Sequence, residues 1–464
     1  MNKIFYNNEW HKSLSKIKYS KNSFLNSKIN YYPNCSEQDL QNVTNSAIKG
    51  LKEFESFSLK KRSIVLKSIA KEIRKKYKII AKLEAEDTGK KIANAQKEIL
   101  YAVKIWDYAS HQLKVLKPIK QSFNKKKLGE IIYEPVGCVA LIVPWNYPFI
   151  VASERLPFII GSGNSVIIKP SEYASSSLSY LVQILKKQKL PPGLINLIYG
   201  KGENIGAKLV KSKKVNMISF TGSTKTGKKI MKSASKGIKR LSLELGGKNS
   251  IIILEDANVK KAVKICIESF CSNSGQACVA TTKLILNNKI KIKFIEKLKL
   301  ELKKIKNFKK ILGPITTKFQ FEKIHKIIDE NKKYNKNIIF GDIKKRKDQY
   351  IFPIVYEGLP LKNSINKKEI FGPVLSIITF KKGEQAIKIA NDTNYGLSAI
   401  VCSKNINKAK KISKKLNSGR IWINNSTSVN FPHLPIGGYK ESGLNRECGN
   451  EGFKTYSEIK SIII

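Results

Sequence analysis

Apolar positions recur along the chain with two periods, one helical and one extended. Near the start, Ser36-Glu37-Gln38-Asp39 caps a helix whose apolar residues Val43, Ala47, Ile48 and Leu51 fall at helical spacing. A second helix spans residues 59 to 87, with Ile64, Leu66, Ile69, Ile73, Ile79, Ile80 and Leu83 on its apolar side, and Thr88-Gly89 stops it. A third covers residues 92 to 112. These read as scaffold helices, and nothing in them suggests chemistry. Phe5 to Trp10 reads as one short strand. The polar, basic stretch 119 to 133 reads as a hairpin or a linker.

From Val136 the pattern changes to short strands, beginning with the continuous apolar run 139–143 and followed by 165–168, 195–199, 215–220 and 241–244. Such runs suit parallel strands covered on both faces. Helical stretches alternate with them, 175–187 being one, which predicts a parallel sheet with crossover helices. In such a sheet ligands bind in the loops after the strands' carboxyl ends. Further strands are read at 251–254 and 283–286, with a helix from about Asp256 to Phe270 between them. Residues 288 to 310 form a Lys-dense helix, read as a solvated face.

Length and composition narrow the class. A chain of 464 residues calls for two or three domains. No stretch reaches the roughly 18 uninterrupted apolar residues of a membrane span. The first ten residues lack the apolar core of a signal peptide, so a cytoplasmic location is expected. Seven cysteines without a CxxC pair and four scattered histidines make no metal framework. Reduced thiols are expected, one of them a catalytic candidate. The formal charge of +52 raises the question of nucleic acid. Against it, the basic residues spread along the whole chain and are overwhelmingly Lys, with only seven Arg to supply bidentate forks. No nucleic-acid partner is expected; the Lys, Asn and Ile content reads as compositional bias.

Chemistry is expected at residues 269–278. A cysteine, Cys278, closes a run of small and polar residues in which Gly275 permits a tight turn and Asn273 and Gln276 can hold it by hydrogen bonds. Upstream, Glu244-Leu245-Gly246-Gly247-Lys248-Asn249 offers a carboxylate beside a glycine pair. Gly222 and Gly227 bracket a strand-to-helix turn that is neither a GxGxxG nor a Walker loop. With Ser223 it places backbone amides at a helix N-terminus, where phosphate binds.

Taken together, Glu-Leu-Gly-Gly-Lys-Asn and Asn-x-Gly-Gln-x-Cys resemble the two signature boxes of the aldehyde dehydrogenase superfamily, with betaine-aldehyde-dehydrogenase-like members among the nearest in pattern. Further matching boxes follow in order: Pro144-Trp145-Asn146-Tyr147-Pro148, Phe220-Thr221-Gly222-Ser223, Glu369-Ile370-Phe371-Gly372-Pro373 and Pro435-Ile436-Gly437-Gly438. The resemblance covers effectively the whole chain. It implies an α/β architecture: a Rossmann-like parallel-sheet cofactor domain (1–117 and 136–246), an α/β catalytic domain (247–441), and a small β oligomerisation arm with a C-terminal strand (118–135 and 442–464). It implies oxidation of a small-molecule aldehyde to the acid, with NAD favoured and NADP the other dinucleotide the site could take. It also implies a homodimer or homotetramer, with no membrane and no metal.

Residue by residue, the resemblance makes Cys278 the nucleophile and Asn146, with the Cys278 backbone N–H, the donor to the developing oxyanion. Glu244 becomes the base that activates water on the thioester. Glu447 matches a second family glutamate and is read either as a proton relay or as a structural salt bridge. Lys169, Ser171 and Glu172 correspond to the adenosine-ribose end of the cofactor. Trp145, Gly222, Ser223, Gly227 and Leu245 fall on the pyrophosphate turn and its packing, and Glu369 and Phe371 on the nicotinamide ribose. CoA-acylating relatives lack the glutamate of the first box, so Glu244 favours a free acid; a catalytically silent basic binding protein is the non-enzyme alternative. Glu154-Arg155 stands where many relatives have Trp-Lys. Glu154 then either gives the aldehyde tunnel a negative wall, selecting cationic aldehydes, or forms a local ion pair with Arg155.

Overall fold

The computed structural model describes residues 3–15, 17–21, 28–123, 127–305, 308–344 and 348–464. Two large sheets organise it. The first has eight strands in the order Glu9–Lys12, Lys3–Tyr6, Ile195–Leu197, Ser165–Lys169, Cys138–Ile142, Met217–Thr221, Arg240–Glu244 and Gly443–Leu444. The five strands between 138 and 244 are mutually parallel. Taken in sequence order they lie 3-2-1-4-5, so the sheet reverses direction between Cys138–Ile142 and Met217–Thr221. That reversal is the crevice where doubly wound sheets take dinucleotides. Register pairs Ile142 with Lys169 and Thr221 with Glu244, which brings the loops beginning at Val143, Pro170, Gly222 and Leu245 to one edge.

The second sheet has seven strands, ordered Ile338–Phe340, Ile354–Glu357, Val374–Phe380, Thr281–Asn287, Asn249–Ile253, Ser398–Cys402 and Arg420–Ile423, parallel except for the first pair. A third, antiparallel sheet joins Ile119–Phe123, Lys127–Pro135 and the C-terminal strand Ser457–Ile463. The hairpin-or-linker stretch is thus a hairpin, and its turn residues 124–126 lie outside the described residues.

Helices α1 (Glu37–Phe54), α2 (Leu59–Thr88) and α3 (Ile92–Gln112) pack with the first sheet, within one core cluster. Ser36 and Asp39 form a reciprocal capping box on α1. Gly89 ends α2 in the left-handed conformation, φ 76°, donating to Ala85 O at 2.9 Å.

Two expectations change. The stretch from Phe5 to Trp10 is not one strand but a hairpin, because Asn7 and Asn8 both adopt positive φ (48° and 60°) and reverse the chain. The Lys-dense stretch is not simply a solvated face. Its helix, Lys291–Lys303, buries Phe294, Ile295, Leu298 and Leu302, so the lysines occupy only the outer side of an amphipathic helix. Residues 306 and 307 lie outside the described residues. Among the described residues no helix is long and apolar enough to cross a membrane.

Candidate active site

The helix Val259–Cys271 delivers the chain to the cysteine loop. There Asn273, Ser274 and Gly275 are consecutively left-handed, with φ of 47°, 57° and 74°. Two non-glycine residues in that region are costly and need outside support. Gln276, fully buried, provides it: Nε2 donates to Asn273 O (2.9 Å) and Pro314 O (3.1 Å), and Oε1 accepts from Thr316 N (2.8 Å). Ser274 Oγ donates to Gly313 O. Gly275 is required for space as well as φ, since a Cβ there would lie 2.2 Å from the carbonyl carbon of Gly372. Six of the seven cysteines are buried; Cys278 alone is partly exposed.

Asn146 comes from the loop after Cys138–Ile142. Its side-chain Nδ2 donates to Gln276 O at 3.0 Å, and Asn273 Nδ2 donates back to Asn146 O at 3.3 Å. An amide nitrogen carries two hydrogens, so one remains to be donated elsewhere. From the second sheet, Asn249 Nδ2 donates to Cys278 O at 2.7 Å. The cysteine loop is therefore tied to both sheets.

Glu244 ends its strand at the same edge and is buried. Burial pushes its carboxyl up to about 7; Arg155 and the Cys278 thiol oppose the rise, and Glu154 and Glu369 add to it. Its Oε1 has no hydrogen-bond partner among the described residues. The Cys278 thiol is itself held well above its ordinary value, first by burial, then by the charge and hydrogen bond of Glu244. The resting sulfur is thus a thiol, and the thiolate forms only when its proton leaves.

Behind Glu244 lies a buried charge cluster. Glu447 accepts from Ser242 Oγ (2.5 Å) and Tyr456 OH (2.8 and 3.0 Å), and stands 3.8 Å from Arg155 Nε. Arg155 NH1 is 3.4 Å from Glu154 Oε2 and donates to Val151 O at 2.8 Å. Of the two readings of Glu154, the geometry forms the ion pair. Arg155's reach to Glu447, and the roles of Ser242 and Tyr456, had no signal in the sequence.

The remaining sequence-predicted residues gather at the reversal of the first sheet and beside it. Lys169 Nζ is 3.7 Å from Glu172 and donates to Pro170 O (3.0 Å); Ser171 Oγ accepts from Tyr173 N (3.3 Å). Ser223 caps the helix Thr224–Ala234, accepting from Thr226 N at 3.2 Å, and Gly222 N donates to Glu244 O at 3.1 Å. Gly227 lets that helix approach Leu245, whose Cδ2 would be 2.7 Å from a Cβ. Glu369 accepts from Gly247 N at 3.0 Å, and Trp145 meets Phe371 edge-on, 5.6 Å between centroids. This donor set suits a dinucleotide: carboxylates for ribose hydroxyls at either end, and a capped helix N-terminus for phosphate between them. Thr221 and Glu244 pair in register there, and their Oγ1 and Oε1 are buried oxygens with no hydrogen-bond partner among the described residues.

Comparison with known proteins agrees with this arrangement. The profile described as "Aldehyde dehydrogenase family" matches residues 10–462. The chain is 33% identical to a chloroplastic betaine aldehyde dehydrogenase of Amaranthus hypochondriacus, over 99% of this chain and 95% of the relative. It is also 33% identical to the peroxisomal aminoaldehyde dehydrogenase 1 of Pisum sativum, with the same coverage. Among solved structures, an NAD-dependent aldehyde dehydrogenase from Sinorhizobium meliloti superposes with TM-score 0.96 at 32% identity, covering 100% of this chain and 94% of that one. A betaine aldehyde dehydrogenase from Staphylococcus aureus in complex with NAD+ gives 0.95 at 30%, covering 100% and 94%. With the match running from one end to the other and the two boxes meeting in one crevice, the chain belongs to the aldehyde dehydrogenase family.

Proposed function

We propose that the chain oxidises an aldehyde to the carboxylic acid with NAD+, NADP+ being the alternative acceptor, through a covalent thioester on Cys278. The observation that carries this reading is that the charge of Glu244 acts on the Cys278 thiol while the Asn146 side-chain amide bonds the same cysteine loop at Gln276 O.

Cys278 Sγ adds to the aldehyde carbon as its proton passes toward Glu244, giving a thiohemiacetal. Asn146 Nδ2 and the Cys278 backbone N–H donate to the oxygen as it becomes negative. NAD, when bound, supplies the acceptor for the hydride released from that carbon, which leaves an acyl group on Cys278. Once Glu244 has released the thiol proton to solvent, it takes a proton from water, which attacks the thioester carbonyl; the C–S bond breaks, the acid leaves, and Glu244 returns the proton to the sulfur, restoring the thiol. A carboxyl near 7 suits a base working at neutral pH. Glu447, anchored by Ser242 and Tyr456, shares Arg155 with Glu154 and sets the charge behind the base.

Glu172 and Lys169 would hold the adenosine ribose, with Ser171 alongside. Gly222, Ser223 and Trp145 would face the pyrophosphate, Gly227 and Leu245 packing behind them, and Glu369 with Phe371 the nicotinamide ribose. A carboxylate at Glu172 favours hydroxyls over a 2′-phosphate, hence NAD. Residues 1–117 and 136–246 act as the dinucleotide-binding domain, 247–441 as the catalytic domain, and 118–135 with 442–464 as the arm and strand through which copies associate into a homodimer or homotetramer. The exposed Ile459, Ile463 and Ile464 at that edge support the last assignment. Seven free cysteines suit a reducing, cytoplasmic setting. Glu244 favours water over coenzyme A as acyl acceptor. NADH formation across an aldehyde panel, with the product identified as free acid or acyl-CoA when CoA is added, tests the reading; no NADH with any aldehyde, or an acyl-CoA product, contradicts it.

A further inference from the structure

The C-terminal end of α2 and the middle of α3 carry a buried polar cluster outside the reactive centre. Lys90 Nζ lies 2.6 Å from Glu98 Oε2 and 3.6 Å from Glu84 Oε1, and 4.2 Å from the centroid of the Tyr147 ring. Glu84 also accepts from Ser177 Oγ at 2.5 Å and from Phe149 N, in the first turn of α4 (Pro148–Ser153), at 3.5 Å. The cluster therefore grips the chain immediately after Asn146. The same segment reaches the other half of the site. Thr88 O accepts from Thr316 Oγ1 at 2.8 Å, and Thr316 N holds the Gln276 side chain that shapes the cysteine loop. Tyr147 OH, for its part, is 3.5 Å from Ser272 Oγ on that loop.

We propose that Lys90 is a positioning residue: its ammonium, clasped by Glu84 and Glu98, fixes the Tyr147 ring and with it the adjoining Asn146 amide against the Cys278 loop. This rests on the function proposed above. A desolvated ammonium on an aromatic face is a strong, directional contact. Reaction rates are steeply sensitive to sub-ångström placement of an oxyanion donor. Replacing Lys90 by an apolar side chain would leave the buried Glu84 and the partly buried Glu98 without their shared cation, and the Tyr147 ring held only by its hydroxyl near Ser272 Oγ. A purely neutralising lysine would instead affect stability alone.

The test uses the full-length chain without cofactor. p-Nitrophenyl acetate acylates a thiol: the S–acyl bond forms, the ester C–O bond breaks, p-nitrophenolate leaves, and the thiol proton passes to Glu244 or solvent. The step creates an oxyanion. Iodoacetamide alkylates the same sulfur with loss of iodide and creates none. Lys90→Met is expected to slow the acylation burst at least about tenfold while leaving alkylation of Cys278 unchanged, and Lys90→Arg to restore most of the burst. Tyr147→Leu, which keeps the three charges together, is expected to show the same split and stands in should Lys90→Met fail to fold. A Cys278-dependent burst at the wild-type rate in either variant, or equal losses in both reactions, overturns this inference alone. A wild-type burst that survives Cys278→Ala overturns the proposed function as well.

Discussion

Glu244 and Cys278 shift each other in opposite senses: the carboxylate raises the thiol above its ordinary value, and the thiol favours the ionised form of Glu244. Burial outweighs that help and leaves the carboxyl at about 7, against an ordinary 4.5. One carboxylate can therefore receive the thiol proton in the first half of the cycle and a water proton in the second, provided it is ionised at each start.

A pH dependence follows. Glu244 is protonated below about 7 and ionised above it, so deacylation should rise with pH through an apparent value near 7 rather than near 4.5. The steady-state kcat profile checks this. The stability consequence has the opposite sense. A raised folded-state value favours the fold below the unfolded value of 4.5, and that contribution is lost as pH climbs through about 7. Glu244→Gln, which cannot ionise, should therefore melt at least as high as the wild type at pH above 7, and the gain should vanish in acid.

Arg155 faces three carboxylates: Glu154, Glu447 and, through its charge, Glu244. Arg155→Met would leave them buried without their shared cation, at a cost of about 3–5 kcal/mol measured by denaturant unfolding. Because Arg155 lowers the Glu244 value, its removal should also move the kcat limb to higher pH. A variant as stable as the wild type, with an unmoved limb, would show that Arg155 is not the hub described.

Glu154 is drawn to Arg155, 3.4 Å away, which it shares with Glu447. Glu154→Gln should leave the ranking of kcat/KM among betaine aldehyde, propanal and succinate semialdehyde unchanged. A selective loss of the cationic aldehyde would instead make Glu154 a wall of the tunnel.

The elements and residues legible in the sequence were those with local signatures. The start of α1 follows from its capping box, the end of α2 from Gly89, and the candidate residues Cys278, Glu244 and Asn146 from short boxes built around tight turns. What escaped depends on convergence. Nothing near Glu447 announces that Tyr456, Ser242 and Arg155 meet there, because each arrives on a different element. Glu84, Lys90 and Glu98 looked like ordinary polar positions of scaffold helices, since their burial comes from the loop after Asn146 packing over them. The Asn7-Asn8 turn contains no Gly or Pro to announce it, so the stretch reads as one short strand from the sequence. The amphipathic side of Lys291–Lys303 was hidden by its lysines, whose number reflects composition more than position.

The most direct test of the central claim is a single-turnover experiment with Glu244→Gln, NAD+ and an aldehyde, read by NADH absorbance and by intact-protein mass. The account predicts no more than one NADH per active site, formed more slowly than in the wild type because Gln cannot take the thiol proton, then arrest, with the acyl mass located on Cys278. Continued turnover at the wild-type rate, or an acyl group on any other residue, would contradict it.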